Sequence, residues 1–119
     1  MANHALLSAS SSDRWLHCPP SARLCETCED KGSDYAAEGT DAHALCEMRL
    51  KQALGIPAED VIENLSWYNE EMENCAEAYA TYVLELVETA KQACGDPVVC
   101  IEQRVDFSRW VRDGFGTAD

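Results

Sequence analysis

The sequence predicts an α+β fold, rich in helix, in which several helices precede a β-hairpin. Apolar residues recur at helical spacing over two long segments, about 38–54 and 70–93. β-Branched residues then dominate segment 98–105, which we interpret as a strand. A turn at 112–114 separates this segment from a second extended one, 115–119. The predicted order is therefore helices first and then the first strands of a sheet.

The N-terminal region predicts a short helix followed by a break. Serine caps precede a helix that starts near Ser10 and should carry Trp15 and Leu16 inward. Proline lacks the backbone donor, so the pair at 19–20 ends this helix. One or two further helical turns are expected in 21–27.

Both long helices carry start or stop signals. Gly55 ends the helix at 38–54, and Pro57 follows just beyond it. Asn69 caps the longer helix at 70–93. One face of that helix is an apolar stripe and most of its glutamates lie off the stripe, as expected for one buried face and one solvated face.

Length and charge limit the functions that the chain can have. Its 119 residues fit one domain with a modest core. With 22 acidic residues against nine basic ones, the formal charge of −13 argues against this chain gripping nucleic acid by itself, because phosphate neutralisation needs Lys and Arg. If the whole protein handles DNA, its basic surface is expected mainly beyond these residues. No apolar run reaches membrane-spanning length and no signal peptide is visible, so we expect a cytoplasmic protein without a membrane partner.

The first candidate site lies on the first long helix. His43 and Glu47 are four residues apart, so their side chains emerge one above the other, with Glu38 near the helix entrance. Gly39 at that entrance would let another backbone approach, and Thr40 could cap the helix. A neutral imidazole is a good ligand for a divalent ion, and Glu47 could orient it or bind a water on the metal. Spacing alone favours a plainer alternative, a surface histidine paired with a glutamate.

The second candidate is Asp119, which follows Gly116 and ends the second predicted strand. A carboxylate that projects from a strand beside glycine suits Mg²⁺, a hard cation that prefers oxygen ligands. Considered alone, a turn aspartate is the simpler interpretation.

Cysteine is frequent, with seven residues in the chain. The odd number and the lack of a secretion signal argue against a disulfide framework, and several cysteines occupy apolar positions, where they act as small hydrophobes. Cys25 and Cys28 form a CxxC pair seven residues after Cys18, a spacing that can hold zinc or an iron–sulfur cluster. The sequence has no second CxxC pair, so Cys46 or His17 would have to complete such a site.

Taken together, three segments resemble the RecB-like branch of the PD-(D/E)XK nuclease superfamily. Residues 8–24 resemble its opening segment, with a serine-rich cap, a short helix and a Cys-Pro step. Residues 38–47 resemble its first motif on the first core helix, and residues 116–119 resemble its second motif, in which an aspartate ends a strand. The chain is most similar to an uncharacterised phage and prophage family within that branch.

The resemblance implies a mixed sheet flanked by helices and a Mg²⁺- or Mn²⁺-dependent phosphodiesterase that acts on DNA. His43 and Asp119 would be metal ligands and Glu47 a supporting acid, so these three are the catalytic candidates. The third motif, an acid followed two residues later by a lysine, would lie beyond Asp119. Residues 1–119 are therefore expected to be the N-terminal portion of a phage- or prophage-encoded nuclease domain, inactive without the remainder.

The resemblance also bears on cofactors and partners. Some RecB-like nucleases hold an iron–sulfur cluster with one cysteine ahead of the first motif, and Cys18 occupies such a position. DNA is the partner expected for the full-length protein. Self-association is a further expectation, because a hairpin that forms the edge of a sheet can pair with another chain.

Two other interpretations stay open. The charge of −13 and the glutamate-lined long helix are also typical of an acidic helical protein-interaction module in which His43 and Asp119 share no role. The cysteines at 18, 25 and 28 would alternatively make the chain a small zinc- or cluster-binding protein.

Overall fold

The computed structural model describes residues 5–29 and 31–118. Within them the helices are α1 (Ser12–His17), α2 (Pro20–Glu26), α3 (Asp34–Ala53) and α4 (Glu70–Cys94), and the strands are β1 (Gln103–Asp106) and β2 (Phe115–Ala118). The predicted helix-rich α+β class is confirmed. The chain divides into two compact units, Gly32–Val99 and a second unit made of Met1–Lys31 with Cys100–Asp119.

Helix α3 begins four residues earlier than the sequence predicted. Ser33 is extended and its Oγ accepts a hydrogen bond from the backbone N–H of Ala36 at 3.1 Å, which satisfies one of the free donors at the helix start. The helix ends at Ala53, and Gly55 follows in a left-handed conformation with φ of 73°. The backbone N–H of Ile56 then donates to the carbonyl of Lys51 at 2.8 Å and closes the end.

Helix α4 is bounded by equally local signals. Its N-cap is Asn69, whose Oδ1 accepts from the backbone N–H of Met72 at 2.8 Å. Glutamates at positions 70, 71 and 73 fill the first turn, where negative charge favours the helix dipole. At the other end Gly95 has φ of 76° and its N–H donates to the carbonyl of Lys91 at 2.8 Å.

The core of the Gly32–Val99 unit lies where α3 packs against α4. Leu45 and Met48 from α3 meet Met72 and Ala76 from α4, and Leu45 is completely buried. Apolar residues of the loop between the helices cover this cluster. They are Val61, Ile62 and Leu65. Because a buried leucine loses both transfer energy and packing when truncated, this contact fixes α3 firmly against α4.

The strand prediction at 98–105 was too long. Strand β1 occupies only Gln103–Asp106, where it pairs antiparallel with β2 in a register that sets Val105 opposite Gly116. Glu102 has a positive φ of 48°, so the chain leaves the extended conformation just before β1. Val98 is 90% exposed and belongs to neither strand. Asp119, predicted to end the second strand, lies outside the described residues.

The short N-terminal helices differ from expectation in one side chain. The indole Nε1 of Trp15 donates to the carbonyl of Ser8 at 2.9 Å and anchors the segment before α1. Leu16, expected to point inward, is 66% exposed and lines an apolar groove of about 400 Å³ beside Trp15 and Pro19. Among the described residues, no helix combines the length and apolar character needed to cross a bilayer.

Candidate functional site

The segment that resembles the first nuclease motif lies wholly inside α3. Because the helix starts at Asp34, residues 38–40 are in its second turn and not at its entrance. Thr40 is therefore no cap, and its Oγ1 donates to the carbonyl of Ala36 at 3.0 Å. Among the described residues, a Cβ placed on Gly39 would meet nothing within 4 Å, so none of their backbone packs closely there. Ser33 takes the capping role instead, and among the described residues no close approach at Gly39 is seen.

His43 and Glu47 lie on the side of α3 away from Leu45, where His43 is exposed and Glu47 is half-buried. Leu45 lies about 200° around the helix from His43, so burial of Leu45 directs His43 outward, where it is exposed. Glu47 lies only about 40° from His43 on the same face. The spacing thus places an imidazole and a carboxylate on adjacent turns of one rigid helix.

The carboxylate of Glu47 is paired with Lys51. The Nζ of Lys51 lies 2.6 Å from Oε1 of Glu47, and about a third of each side chain is exposed. Both residues line a shallow cleft of about 300 Å³, together with Met48 and Val61. Lys51 was not predicted as a site residue, although its position four residues after Glu47 is the usual spacing of a helical ion pair.

A second acidic residue of this segment has a structural role. Oδ2 of Asp41 accepts a hydrogen bond from the backbone N–H of Trp67 at 2.9 Å, across 26 positions of sequence. This contact ties the loop before α4 to the middle of α3. Asp41 therefore holds the interhelical loop in place, a role that no local pattern indicates.

Charged side chains also join the two long helices. Arg49 Nε lies 2.5 Å from Oε1 of Glu73, and the hydroxyl of Tyr68 donates to Oε2 of the same carboxylate at 2.8 Å. The hydrogen bond from Arg49 lowers the pKa of Glu73 below its ordinary value, and burial opposes this effect. The same bonds raise the pKa of Arg49 and of Tyr68. This cluster is a fixed interhelical contact on α3, one turn beyond Leu45.

The described residues supply only part of a ligand set for Mg²⁺. Within residues 5–29 and 31–118, no three His, Cys, Asp or Glu side chains form a group that could hold a metal ion. His43 offers one nitrogen and Glu47 a carboxylate already paired with Lys51, whereas Mg²⁺ takes six ligands, mostly oxygen. Asp119, the predicted second ligand, lies outside the described residues, and Gly116 and Thr117 before it pair in β2. The residues that the structure describes do not fit a metal ion by themselves.

Within the described residues, Cys18, Cys25 and Cys28 are not brought together with a further ligand as a metal-binding group. Cys18 and Cys28 are exposed and Cys25 is half-buried, and all three are free thiols. The Sγ of Cys28 lies 3.8 Å from the carbonyl of Leu24 in its own helical turn. In the described part of the chain these cysteines belong to no metal-binding group.

Comparison with known proteins shows that one family model matches the chain. The model of a protein family described as "Protein of unknown function (DUF2800)" matches residues 4–119. The match extends from before α1 to the end of the chain, so it includes the segments with His43 and Glu47. No solved structure matches the chain.

Proposed function

We propose, from the premise that the chain belongs to the DUF2800 family, that it is the N-terminal part of a metal-dependent DNA nuclease. The proposed relationship is to the RecB-like branch of the PD-(D/E)XK superfamily, with a phage or prophage origin and Mg²⁺ or Mn²⁺ as the cofactor. His43 and Asp119 would hold the metal, and Glu47 would support the site. The reaction would be hydrolysis of a DNA phosphodiester bond.

One observation supports this proposal above the others. His43 and Glu47 lie on adjacent turns of α3, on the side away from Leu45, which is buried against α4. A ligand needs a defined position, and a side chain on a packed helix has one. The order of helices followed by a hairpin also agrees with the order of the resembling segments.

In the proposed reaction, the residues of this chain would bind the metal ion and hold it in position. His43 would offer a ring nitrogen, and Lys51 holds the carboxylate of Glu47 one turn away. When bound, the cation would lower the pKa of a water molecule and stabilise negative charge on the phosphate. Asp119 would add an oxygen ligand, and the residues that complete the set would come from outside the described part of the chain.

The experiment is a cleavage assay on the product of the parent open reading frame. Labelled single- and double-stranded DNA is incubated with Mg²⁺ or Mn²⁺, and the expected result is divalent-dependent cleavage. His43→Ala and Asp119→Ala should each reduce the rate by about a hundredfold or more, since loss of a ligand costs at least as much as loss of its supporting shell. His17→Ala is the matched control, because His17 is an exposed histidine on α1 bonded to the carbonyl of Asp13.

Two results would count against the nuclease. Cleavage retained in both the His43 and the Asp119 variants would remove the assignment, as would no cleavage by the unaltered protein with either cation. Calorimetric titration of Mn²⁺ gives a readout independent of activity. Weaker Mn²⁺ binding in His43→Ala, with binding unchanged in His17→Ala, is the expected result.

An acidic protein-interaction module is the second candidate function. The Gly32–Val99 unit has 14 Asp and Glu residues against three Lys and Arg, a formal net charge of −11. All three cations are already in ion pairs, formed by Arg49, Lys51 and Lys91. Such a surface favours a basic partner and repels phosphate. The cleavage assay separates the two functions, because an interaction module has no metal-dependent rate.

A further inference from the structure

The loop between β1 and β2 is ordered by its own backbone. We call residues 107–114 the hairpin tip. The N–H of Phe107 donates to the carbonyl of Gly114 at 3.0 Å, and the N–H of Trp110 donates to the carbonyl of Phe107 at 3.0 Å. Asp106 Oδ1 accepts from the backbone N–H of Ser108 at 2.8 Å, and hydrogen bonding by the side chain and then by the backbone of Ser108 lowers the pKa of Asp106. These bonds describe two successive turns with a defined shape.

Close packing at the base of the hairpin tip also gives the tip a defined shape. A Cβ on Gly114 would lie 2.6 Å from the ring of Phe107, so only glycine fits there without a shift. Asp113 before it has φ of 55°, a left-handed conformation that aspartate tolerates better than most residues. The ring of Phe107 therefore fills the base of the hairpin tip and supports the residues beyond it.

The hairpin tip presents an aromatic ring and two guanidinium groups to solvent. Trp110 is 76% exposed, and the guanidinium carbon of Arg109 lies 5.7 Å from the centre of its ring. The side chain of Arg112 is 92% exposed. An indole with so much apolar surface in water has an unused capacity for stacking, and a neighbouring cation strengthens its attraction for anionic groups.

The local charge differs from that of the whole chain. Residues 103–118 contain three arginines and two aspartates, although the chain as a whole carries −13. Arg104 lies over the ring of Phe115 at 4.1 Å, and Arg112 is 3.8 Å from an almost fully exposed Asp113, a pair that water weakens. In the described part of the chain no carboxylate lies within ion-pair distance of Arg109. At 0.1 M salt, charges more than about 10 Å away are screened, so the tip acts as a local cationic site.

We propose that the hairpin tip binds single-stranded nucleic acid, with Trp110 stacked on a base and Arg109 and Arg112 on the adjoining phosphates. Each nucleotide of a single strand offers an accessible aromatic face beside an anion, the two groups that this tip complements. A base paired in a duplex hides that face. The inference rests on the proposed nuclease function, because it names the contact by which such a protein would hold its strand.

The test is fluorescence anisotropy with a labelled 12-nucleotide oligothymidylate, in EDTA so that no cleavage occurs. Trp110→Ala should weaken binding about 5- to 100-fold, the range for loss of one stacked base. Trp110→Phe should restore part of the affinity. Arg109→Ala should weaken binding and reduce the slope of log affinity against log salt by about 0.7, the value for one lost phosphate contact on a single strand.

Matched controls are exposed residues of the same type away from the tip. Tyr35→Ala removes an aromatic side chain that is 86% exposed on α3, and Arg23→Ala removes a guanidinium that pairs with Glu26. Both should bind as the unaltered protein does. A blunt duplex of equal length should bind more weakly than the oligothymidylate, and the Trp110 variants should change duplex binding little. Circular dichroism checks that every variant is folded.

The outcomes separate this inference from the nuclease proposal. Trp110-dependent binding without any cleavage in Mg²⁺ or Mn²⁺ would leave the tip contact standing and remove the nuclease. Cleavage that depends on His43 while Trp110→Ala binds as the unaltered protein does would remove the tip contact alone. No binding by the unaltered protein also overturns the inference. So does sedimentation showing that Trp110 instead joins two copies of the chain.

Discussion

Glu73 is the residue whose ionisation matters most to the packing of the long helices. Its carboxylate accepts from Arg49 on α3 and from Tyr68 in the loop, and only 16% of its side chain is exposed. A charge-assisted hydrogen bond of this kind is stronger than a neutral one. The lowered pKa of Glu73 means that folding favours its ionised form.

Glu73→Gln should lower the free energy of unfolding by about 1–2 kcal/mol at pH 7, since it removes a charge-assisted pair. Because the pKa of Glu73 falls below its ordinary 4.5 on folding, this contribution is complete above that pH and disappears as pH decreases through the lower folded value. The variant and the unaltered protein should therefore converge in stability under acid conditions. Urea unfolding at a series of pH values measures the difference.

Glu85→Gln is the control, because Glu85 is exposed on α4 and, within residues 5–29 and 31–118, its carboxylate forms no ion pair. It should change stability by less than about 0.5 kcal/mol at any pH. A Glu73→Gln variant that is as stable as the control at neutral pH would show that the Arg49 contact contributes nothing net.

Three glycines affect the stability of the long helices, one inside α3 and two just after helix ends. Gly39 is inside α3 with open space around its Cβ position, whereas Gly55 and Gly95 follow helix ends with positive φ. The first sits where alanine is favoured, and the other two adopt a conformation that a side chain strains. The same residue type thus has opposite energetic roles in the two settings.

We predict opposite effects for two alanine substitutions. Gly39→Ala should stabilise the protein by about 0.5–1 kcal/mol, because alanine is the better helix former and nothing obstructs the new methyl group. Gly95→Ala should destabilise by about 1–2 kcal/mol, because its φ of 76° strains an L residue. Thermal unfolding followed by circular dichroism measures both. Destabilisation by Gly39→Ala would mean that another group packs against α3 at that position.

Strands were less predictable than helices. The β-branched run at 98–105 indicated a long strand, but only four residues of β2 are available as partners in the described chain, and β1 has the same length. Strand formation needs a second segment at the correct distance, so composition sets the tendency and pairing sets the limits. The positive φ of Glu102 marks that limit.

At the scale of the whole molecule, negative charge is unevenly distributed. The Gly32–Val99 unit carries a formal −11 of the total −13. Its three cations are paired, so the remaining carboxylates repel one another without compensation. In two of the three ion pairs, at least one side chain is exposed by a third or more, so water already weakens these pairs. Screening of the repulsion by salt should therefore outweigh the loss of ion-pair strength.

Raising NaCl from about 0.02 M to about 0.5 M should therefore increase the unfolding temperature by a few degrees, because the Debye length shrinks from about 20 Å to about 4 Å and the repulsion is screened. Replacing Glu77 and Glu85 together by lysine removes two negative charges, adds two positive ones and should reduce the increase. Differential scanning calorimetry measures the effect. An unfolding temperature that falls with salt would indicate that the ion pairs dominate instead.

Local chemistry alone determined the two long helices and their ends. The helical period, the Asn69 cap and the glycines after each helix act within four residues along the chain, so the sequence located α3 and α4 to within a few residues. The shared face of His43 and Glu47 follows from the same geometry.

Tertiary structure decided what joins distant residues. The Arg49–Glu73 pair spans 24 positions and the Trp67–Asp41 hydrogen bond spans 26, and no periodicity encodes either contact. The limits of β1 and the exposure of Trp110 likewise depend on what packs beside them. Backbone conformation responds to near neighbours, whereas burial, ion pairing and strand pairing depend on where the folded chain brings remote segments together.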